Sequence, residues 1–243
     1  MINYTIFNQS TAVTTLNLQN MVKAINTFLV TVCSDWGIAP TQIVIGSGSN
    51  HPNNSIYIMD YTDVDGALGY HDETAGKAYG KIFARTILGY GGAILYKDNH
   101  TFTVASVLCH ELLEMIGNNE VDKWYLDNNG ILWAGELCDP VESNLIVYTL
   151  PGNVKVGLSD YVLPSWFSPD TTARPFNKAN TITAPFTLDS GGYGIILVIN
   201  DGYITDVYGS THVSGTASLV SINSNDIKKD VAALNEKFKF KKK

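Results

Sequence analysis

The sequence predicts an α+β fold with a mixed sheet, on three observations. A long stripe of apolar residues at helical spacing lies near the N-terminus, in residues 16–36. Short apolar runs bounded by glycine, serine and asparagine follow it, as is typical of strands. A second helical segment, residues 104–116, comes after those strands. A long helix, then strands, then a central helix is an α+β layout.

The N-terminal helix is indicated by apolar residues that recur every three or four positions. Gly37 follows the stripe and predicts the end of the helix. The residues that share the apolar face are Leu18, Met21, Val22, Ile25, Leu29 and Val32.

Strands are predicted next in TQIVIGSG (41–48) and NSIYIMDYT (54–62), on either side of a polar turn. Further short strands, with glycines at turns or bends, are expected in residues 66–97. The central helix is predicted from Val104 to Ile116. Thr101 or Thr103 can cap its start, and Gly117 is expected to end it.

The half of the chain after Gly117 is predicted to be rich in strands and loops. Asn129-Gly130 has hairpin turn chemistry, and Asp201-Gly202 joins two apolar runs, 194–200 and 203–209, into the strongest hairpin candidate. We expect a main domain over residues 1–209, with an upper part of about 1–117 and a lower part of about 118–209. Residues 210–225 have linker composition, and 226–243 form an amphipathic helix with a basic tail that could dock on a protein partner.

Composition excludes several classes of protein. The formal net charge of −7, from 16 basic and 23 acidic side chains, argues against nucleic-acid binding by the main domain. No apolar run is long enough to predict a membrane span, and the N-terminus lacks secretory-signal features, so we expect synthesis in a cytoplasm. The three cysteines have no CxxC spacing, which favours reduced thiols over disulfides or a cysteine-based zinc knuckle.

The central helix carries HELLE, residues 110–114, which predicts a metal site. Side chains four residues apart share a helix face, so His110 and Glu114 can hold one ion. Glu111 points toward the apolar side of the helix. A carboxylate there is costly unless it is paired, hydrogen-bonded or acting on a bound water, and this cost favours a functional role.

HELLE resembles the HExxH signature of zincin metallopeptidases, with Glu114 in the place of the second histidine. The resemblance implies a zinc ion, or another divalent cation, held by His110 and Glu114, with Glu111 as general base toward the attacking water. Carboxylate oxygen is an acceptable zinc ligand, although its negative charge weakens the Lewis acidity of the ion.

Zincins take a third ligand from downstream, and four acids are candidates here. Glu136, in GELCDPVE, has a spacing similar to that of the downstream glutamate in glutamate-ligand zincins, and Asp139 is well placed as an alternative ligand or as a hydrogen-bond partner of a ligand. Glu120 gives a spacing similar to that of the metzincins, but it follows Gly117 in a polar loop. Glu142 is a further possibility.

A wider segment, about residues 65–195, is similar to zincin-like proteins of bacteria and their phages. The resemblance rests on GYHD, CHELLEMIGN, ELCDPVE and SDYVLPSWF, and it implies that KAYGKIFAR (77–85) is an edge strand that holds a peptide substrate. His71, in GYHD, could approach the metal site from a preceding strand, but a lone histidine is usually structural or exposed.

Three functions are compatible with these features. The first is a zincin-like metal-dependent hydrolase, a peptidase. The second is a virion structural or assembly protein of a phage that keeps an inactive zincin scaffold. The third is a carbohydrate- or peptide-binding module built from residues 145–209.

Overall fold

The computed structural model describes residues 1–47, 52–98, 102–119, 121–198 and 203–209. The predicted α+β class with a mixed sheet is confirmed. The helices are α1 (Thr15–Trp36), α2 (Ala84–Gly89) and α3 (Val104–Gly117), with 3-10 turns at Asp139–Val141 and Pro164–Phe167. The strands are β1 (Ile2–Asn8), β2 (Thr41–Ile45), β3 (Ser55–Met59), β4 (Gly69–Thr74), β5 (Lys77–Phe83), β6 (Trp124–Leu126), β7 (Ile131–Ala134), β8 (Leu145–Leu150), β9 (Val154–Ser159), β10 (Tyr193–Val198) and β11 (Tyr203–Tyr208).

The main sheet has five strands in the order β2-β1-β3-β5-β4. The first four are parallel to their neighbours, and β4 runs antiparallel to β5. The expectation that residues 77–85 form an edge strand is therefore wrong, because β4 covers β5 and is itself the edge. Ala75 and Gly76, with φ of 53° and 75°, form the two-residue turn that folds β4 back onto β5.

Helix α1 begins and ends at local signals in the sequence. The Thr14 hydroxyl accepts a hydrogen bond from the Asn17 amide at 3.2 Å, and Gly37 adopts the left-handed conformation that closes the last turn. The buried face lies in the main hydrophobic cluster together with residues of the sheet and of α3. It comprises Leu18, Met21, Ala24, Ile25, Phe28, Leu29, Val32 and Cys33.

Helix α3 is central, and every residue from Val104 to Met115 is buried. Thr103, one of the two predicted caps, and Ser106 hydrogen-bond reciprocally, which satisfies backbone amides in the first turn. Thr101 lies outside the described residues. Strands β4, β5 and β9 pack around the helix. Gly117 is its last residue, as predicted. A Cβ at this position would collide with the Leu137 side chain, so the close packing of Leu137 requires glycine here.

The second half forms a four-stranded sheet, β11-β10-β7-β6, and a separate hairpin, β8-β9. Asn129-Gly130 lies between β6 and β7, with Gly130 at φ 81°, and the paired runs 193–198 and 203–208 form the predicted antiparallel hairpin. A second hydrophobic cluster lies here, around Trp133, Trp166 and Phe176. Glu120 and the linker and helix predicted for 210–243 lie outside the described residues. Within the described ranges, no helix combines the length and apolarity needed to cross a bilayer.

Candidate metal centre

Helix α3 presents three titratable side chains to one enclosed space. His110, Glu111 and Glu114 are 2%, 1% and 2% exposed. The i to i+4 spacing brings His110 Nε2 to 3.0 Å from Glu114 Oε1. The helix therefore delivers an imidazole and a carboxylate as neighbours, as the sequence predicts.

The segment after β7 brings two more acids, Glu136 and Asp139, to the same space, where they are 5% and 2% exposed. Leu137 packs on the glycine at the end of α3, so the chain passes close to the helix. Its carbonyl accepts a hydrogen bond from the Val162 amide at 2.8 Å. The 3-10 turn that starts at Asp139 then points this residue at α3.

His110 Nε2 lies close to two carboxylate oxygens, and the three atoms form a first group of possible ligand atoms. It lies 3.0 Å from Glu114 Oε1 and 3.1 Å from Asp139 Oδ1. Neighbouring ligand atoms around a tetrahedral zinc ion, at about 2.0 Å each from the metal, are about 3.3 Å apart. The spacings around His110 are close to that value.

His71, on edge strand β4, lies close to a second group of carboxylate oxygens. Its Nδ1 lies 3.5 Å from Glu111 Oε2 and 3.4 Å from Glu114 Oε2, and its Nε2 lies 3.7 Å from Glu136 Oε2. Glu136 also accepts a hydrogen bond from Asn118 Nδ2 at 3.3 Å. His71 therefore belongs to the site.

Among the described residues, two groups of three have donor atoms within 4.8 Å of one another, as a common ion requires. They are His110, Glu114 and Cys138, and His71, Glu111 and Glu114. Of the predicted ligands, His110 and Glu114 belong to these compact groups. Asp139 joins them through His110, and Glu136 through His71.

Several buried polar atoms of the centre have no hydrogen-bond partner in the described part of the chain. They are both carboxylate oxygens of Glu111, Oε2 of Glu136 and Nε2 of His71. Such atoms are rare in proteins, because a buried polar group without a partner loses its hydration with no return. Together with an imidazole, carboxylates and a thiol as donors, they fit a divalent cation.

The backbone of strand β4 passes very close to the Glu111 side chain. A Cβ at Gly69, the first residue of β4, would lie 2.8 Å from Glu111 Oε1 and 2.7 Å from Val107 Cγ1. Only glycine lets the edge strand come this close to α3. The edge strand therefore runs directly beside the Glu111 carboxylate.

The electrostatics show a surplus of negative charge. Burial and the charges of Glu114 and Glu111 raise the pKa of Glu136 to about 7, although the charge of His71 acts to lower it. Burial is also the main reason why the pKa of Glu111 is raised and that of Asp139 is raised well above its usual range. Burial raises the pKa of Glu114 as well, but His110 and His71 outweigh it, so that pKa is lowered.

The two histidines show the complementary effect. Burial lowers the pKa of His71 and His110, but the surrounding carboxylates outweigh it and hold both values well above the usual one. In the described ranges, the ion pairs of the four acids are all with these two imidazoles. The centre therefore attracts additional positive charge.

Three residues near the centre were not among the predicted ligands. His71 carries no motif, and Cys138 has no second cysteine at metal-ligand spacing. Tyr193, on β10, is 3% exposed and its hydroxyl has no hydrogen-bond partner among the described residues. Burial and then the charges of Asp139 and Glu142 raise its pKa well above the usual value, which indicates that the hydroxyl lies near the acids.

Comparison with known protein families, with curated proteins and with solved structures finds no match for this chain. The functional argument therefore rests on the geometry of the site.

Proposed function

We propose that the protein is a zincin-like metal-dependent hydrolase that acts on peptides. His110, Glu114 and Cys138 would hold a zinc ion, with Asp139 beside His110, and Glu111 would act as general base. The observation that carries the proposal is the Glu111 carboxylate, which is 1% exposed and whose two oxygens have no hydrogen-bond partner among the described residues. A group this costly to bury is typical of a site that acts on a bound molecule.

The donor set supports zinc as the cation. An imidazole nitrogen and carboxylate oxygens are ordinary zinc ligands, and the nearby Cys138 sulfur favours zinc over magnesium or calcium. Another divalent transition metal would fit the same donors. When bound, zinc would supply Lewis acidity toward the scissile carbonyl and the attacking water.

Glu111 has the properties that a general base needs. Burial raises its pKa toward the working pH, where a carboxylate accepts a proton most effectively. It would take the proton of the attacking water on one carboxylate oxygen and pass it to the leaving amine. Gly69 is the neighbour of this oxygen. Because glycine has no side chain, none at this position blocks the oxygen.

Strand β4 supports a peptide as the substrate. It is the edge of the main sheet, so its outer backbone groups pair with no other described strand. An extended peptide could add to this edge by backbone hydrogen bonds. Gly69 and His71 of the same strand flank Glu111, so a peptide bound there would pass beside the general base.

The test is metal content and peptide hydrolysis, with two isosteric variants. Glu111→Gln should keep the zinc ion bound at His110 and lose at least a hundredfold in kcat, the lower end of what a general base contributes. Glu73→Gln, at a partly exposed position of the same edge strand near the turn to β5, should keep full activity. Purified protein that binds no divalent metal would contradict the proposal.

A virion structural or assembly protein with an inactive zincin scaffold is the second candidate. Its support is the closure of the centre, because the four acids and two histidines have side chains no more than 8% exposed. A closed site suits a structural ion. This candidate predicts bound zinc with no turnover of any peptide, and loss of partner binding on truncation after residue 222 without loss of the ion.

A further inference from the structure

We infer that the centre binds a second divalent cation, on the side of Glu114 that faces strand β4. Its ligands are His71, Glu111 and Glu114. Glu114 is shared with the first ion, so the two ions form one centre. The existence of this second site does not depend on hydrolase activity.

The two oxygens of Glu114 face different partners. Oε1 lies 3.0 Å from His110 Nε2, whereas Oε2 lies 3.4 Å from His71 Nδ1. A carboxylate that gives one oxygen to each of two ligand groups is the usual bridge between two metal ions about 3.5–4 Å apart. The geometry of Glu114 is therefore that of a bridging ligand.

The unpartnered atoms give independent support. Glu111, 1% exposed, has neither oxygen hydrogen-bonded within the described ranges, and its nearest charged partner is His71 at 3.5 Å. The first ion, at His110, gives no ligand role to Glu111 or His71. A second cation between them would satisfy both side chains.

His71 is oriented for this role. Its Nε2 faces Glu136 Oε2 at 3.7 Å, and both atoms otherwise have no partner in the described part of the chain. A proton on Nε2, directed at Glu136, leaves the lone pair on Nδ1, which faces Glu111 and Glu114. Metal-binding histidines are commonly fixed by a carboxylate on the other ring nitrogen in this way.

The donor set, one imidazole and two carboxylates, suits zinc, manganese or cobalt. It lacks the sulfur that Cys138 adds beside His110. We therefore expect the second site to be less selective for zinc than the first, and to be filled at higher metal concentration.

A consequence follows that rests on the proposed function. A cation at the second site would use the Glu111 oxygens as ligands, and the general base would no longer be free to accept a proton. Hydrolysis should then be maximal with one ion per chain and decline as the second ion binds.

The test is the number of zinc ions bound by the full-length chain. Protein stripped with a chelator and confirmed folded by circular dichroism is dialysed against increasing ZnCl2, and bound zinc is measured by elemental analysis. We expect His71→Gln to bind one ion fewer than the unmodified chain, or to bind the last ion at least tenfold more weakly. Asp72→Asn, at the neighbouring exposed position, should bind as many ions as the unmodified chain.

The comparison remains decisive if His71→Gln does not fold, because isosteric Glu111→Gln should lose the same ion. Zinc bound elsewhere on the chain would be retained equally in all variants. An unmodified chain that saturates at one ion, or folded variants that keep every ion, would overturn the inference. Loss of one ion without detectable hydrolysis would uphold the second site and reject the proposed function. Hydrolysis by an unmodified chain that saturates at one ion would uphold the proposed function and reject the second site.

Discussion

Asp160 and Glu111 are both buried carboxylates, 0% and 1% exposed, yet their surroundings differ. Asp160 Oδ1 accepts hydrogen bonds from the Tyr161 amide at 2.8 Å and the Ala179 amide at 3.1 Å. Its Oδ2 accepts one from Asn177 Nδ2 at 2.7 Å. Glu111, by contrast, has no hydrogen-bond donor at either oxygen in the described part of the chain.

The difference separates a carboxylate with hydrogen-bond donors from one without them. Donors around Asp160 replace its hydration, so burial of the group is compatible with a stable fold. Glu111 keeps its desolvation penalty in the folded state, which a cation or a substrate can relieve. The two carboxylates should therefore respond in opposite ways to neutral substitution.

The largest expected effect is at the satisfied carboxylate. Asp160→Ala leaves the amides of Tyr161 and Ala179 without an acceptor and removes one of the two acceptors of Asn177 Nδ2, and should lower the free energy of unfolding by about 3–5 kcal/mol. Urea unfolding measures this loss. The exposed Asp170→Ala should change the free energy by less than about 1 kcal/mol. Equal effects of the two substitutions would show that the Asp160 network is not structural.

Removal of the metal should have the next largest effect on the free energy of unfolding. This effect should depend on the carboxylates of the candidate metal centre and not on Asp160. Zinc at a thousand times its Kd should add about 4 kcal/mol to the free energy of unfolding, because it binds the folded chain only. Thermal melts with zinc and with a chelator measure the increment. Glu114→Gln should abolish it, whereas Asp160→Ala should retain it. Identical melts of the unmodified protein in both conditions would reject the metal centre.

Crowding at Gly69 gives a smaller effect. Gly69→Ala places a methyl group against Val107 and Glu111, and should cost about 1–3 kcal/mol of stability, the usual range for overpacking. Gly89→Ala is the control, since a Cβ there meets no atom within 4 Å. Chemical unfolding of both variants is the measurement. If the two are equally stable, β4 does not need its close approach to α3.

The metal-free protein should lose stability as pH rises. The pKa of Glu136 is about 7 in the folded chain, above its usual value of 4.5, so the folded state holds the proton more tightly. This stabilisation is complete below pH 4.5 and is lost as pH rises through 7, with a slope of at most about 1.4 kcal/mol per pH unit for one proton. Unfolding in chelator from pH 5 to 8 measures it. If Glu136→Gln leaves the slope unchanged, the pH dependence of stability comes from other groups.

The smallest effect is at the unsatisfied carboxylate. Glu111→Gln removes a desolvated charge while keeping its shape, and should raise the stability of the metal-free protein by up to about 1 kcal/mol. Glu73→Gln, at a partly exposed position of β4 where the amide oxygen can still accept the hydrogen bond from the Gly76 amide, should change the free energy of unfolding by less than about 1 kcal/mol. A loss of several kcal/mol in Glu111→Gln would place this carboxylate in the same class as Asp160.

Local signals in the sequence predicted much of the fold and part of the site. The end of α1 at Gly37, the Thr103 cap of α3 and the spacing of His110 and Glu114 each depend on residues within one or two turns of helix. The edge strand could not be assigned correctly, because whether β4 or β5 lies outermost depends on pairing between distant strands. The Ala75-Gly76 turn was the available signal for the hairpin.

The residues outside the predicted ligand set have no local pattern that marks them as ligands, although the sequence indicates that His71 could approach the site. His71 lies 40 or more residues from Glu111 and Glu114, so only the folded sheet brings it to them. Tyr193 reaches the acids from a different sheet, and nothing in its neighbours distinguishes it from an ordinary strand tyrosine. Carboxylates were easier to find, because an acid on an apolar helix face is anomalous by itself.

The position of Leu137 against Gly117 also bears on the unfolded chain. In the folded chain, the acids at 136 and 139 lie beside α3, on the segment that follows β6 and β7. Loop closure must precede contacts between residues far apart in the chain, so these contacts cost entropy to form. A cation that used these carboxylates would therefore bind the folded chain and have little affinity for the unfolded one.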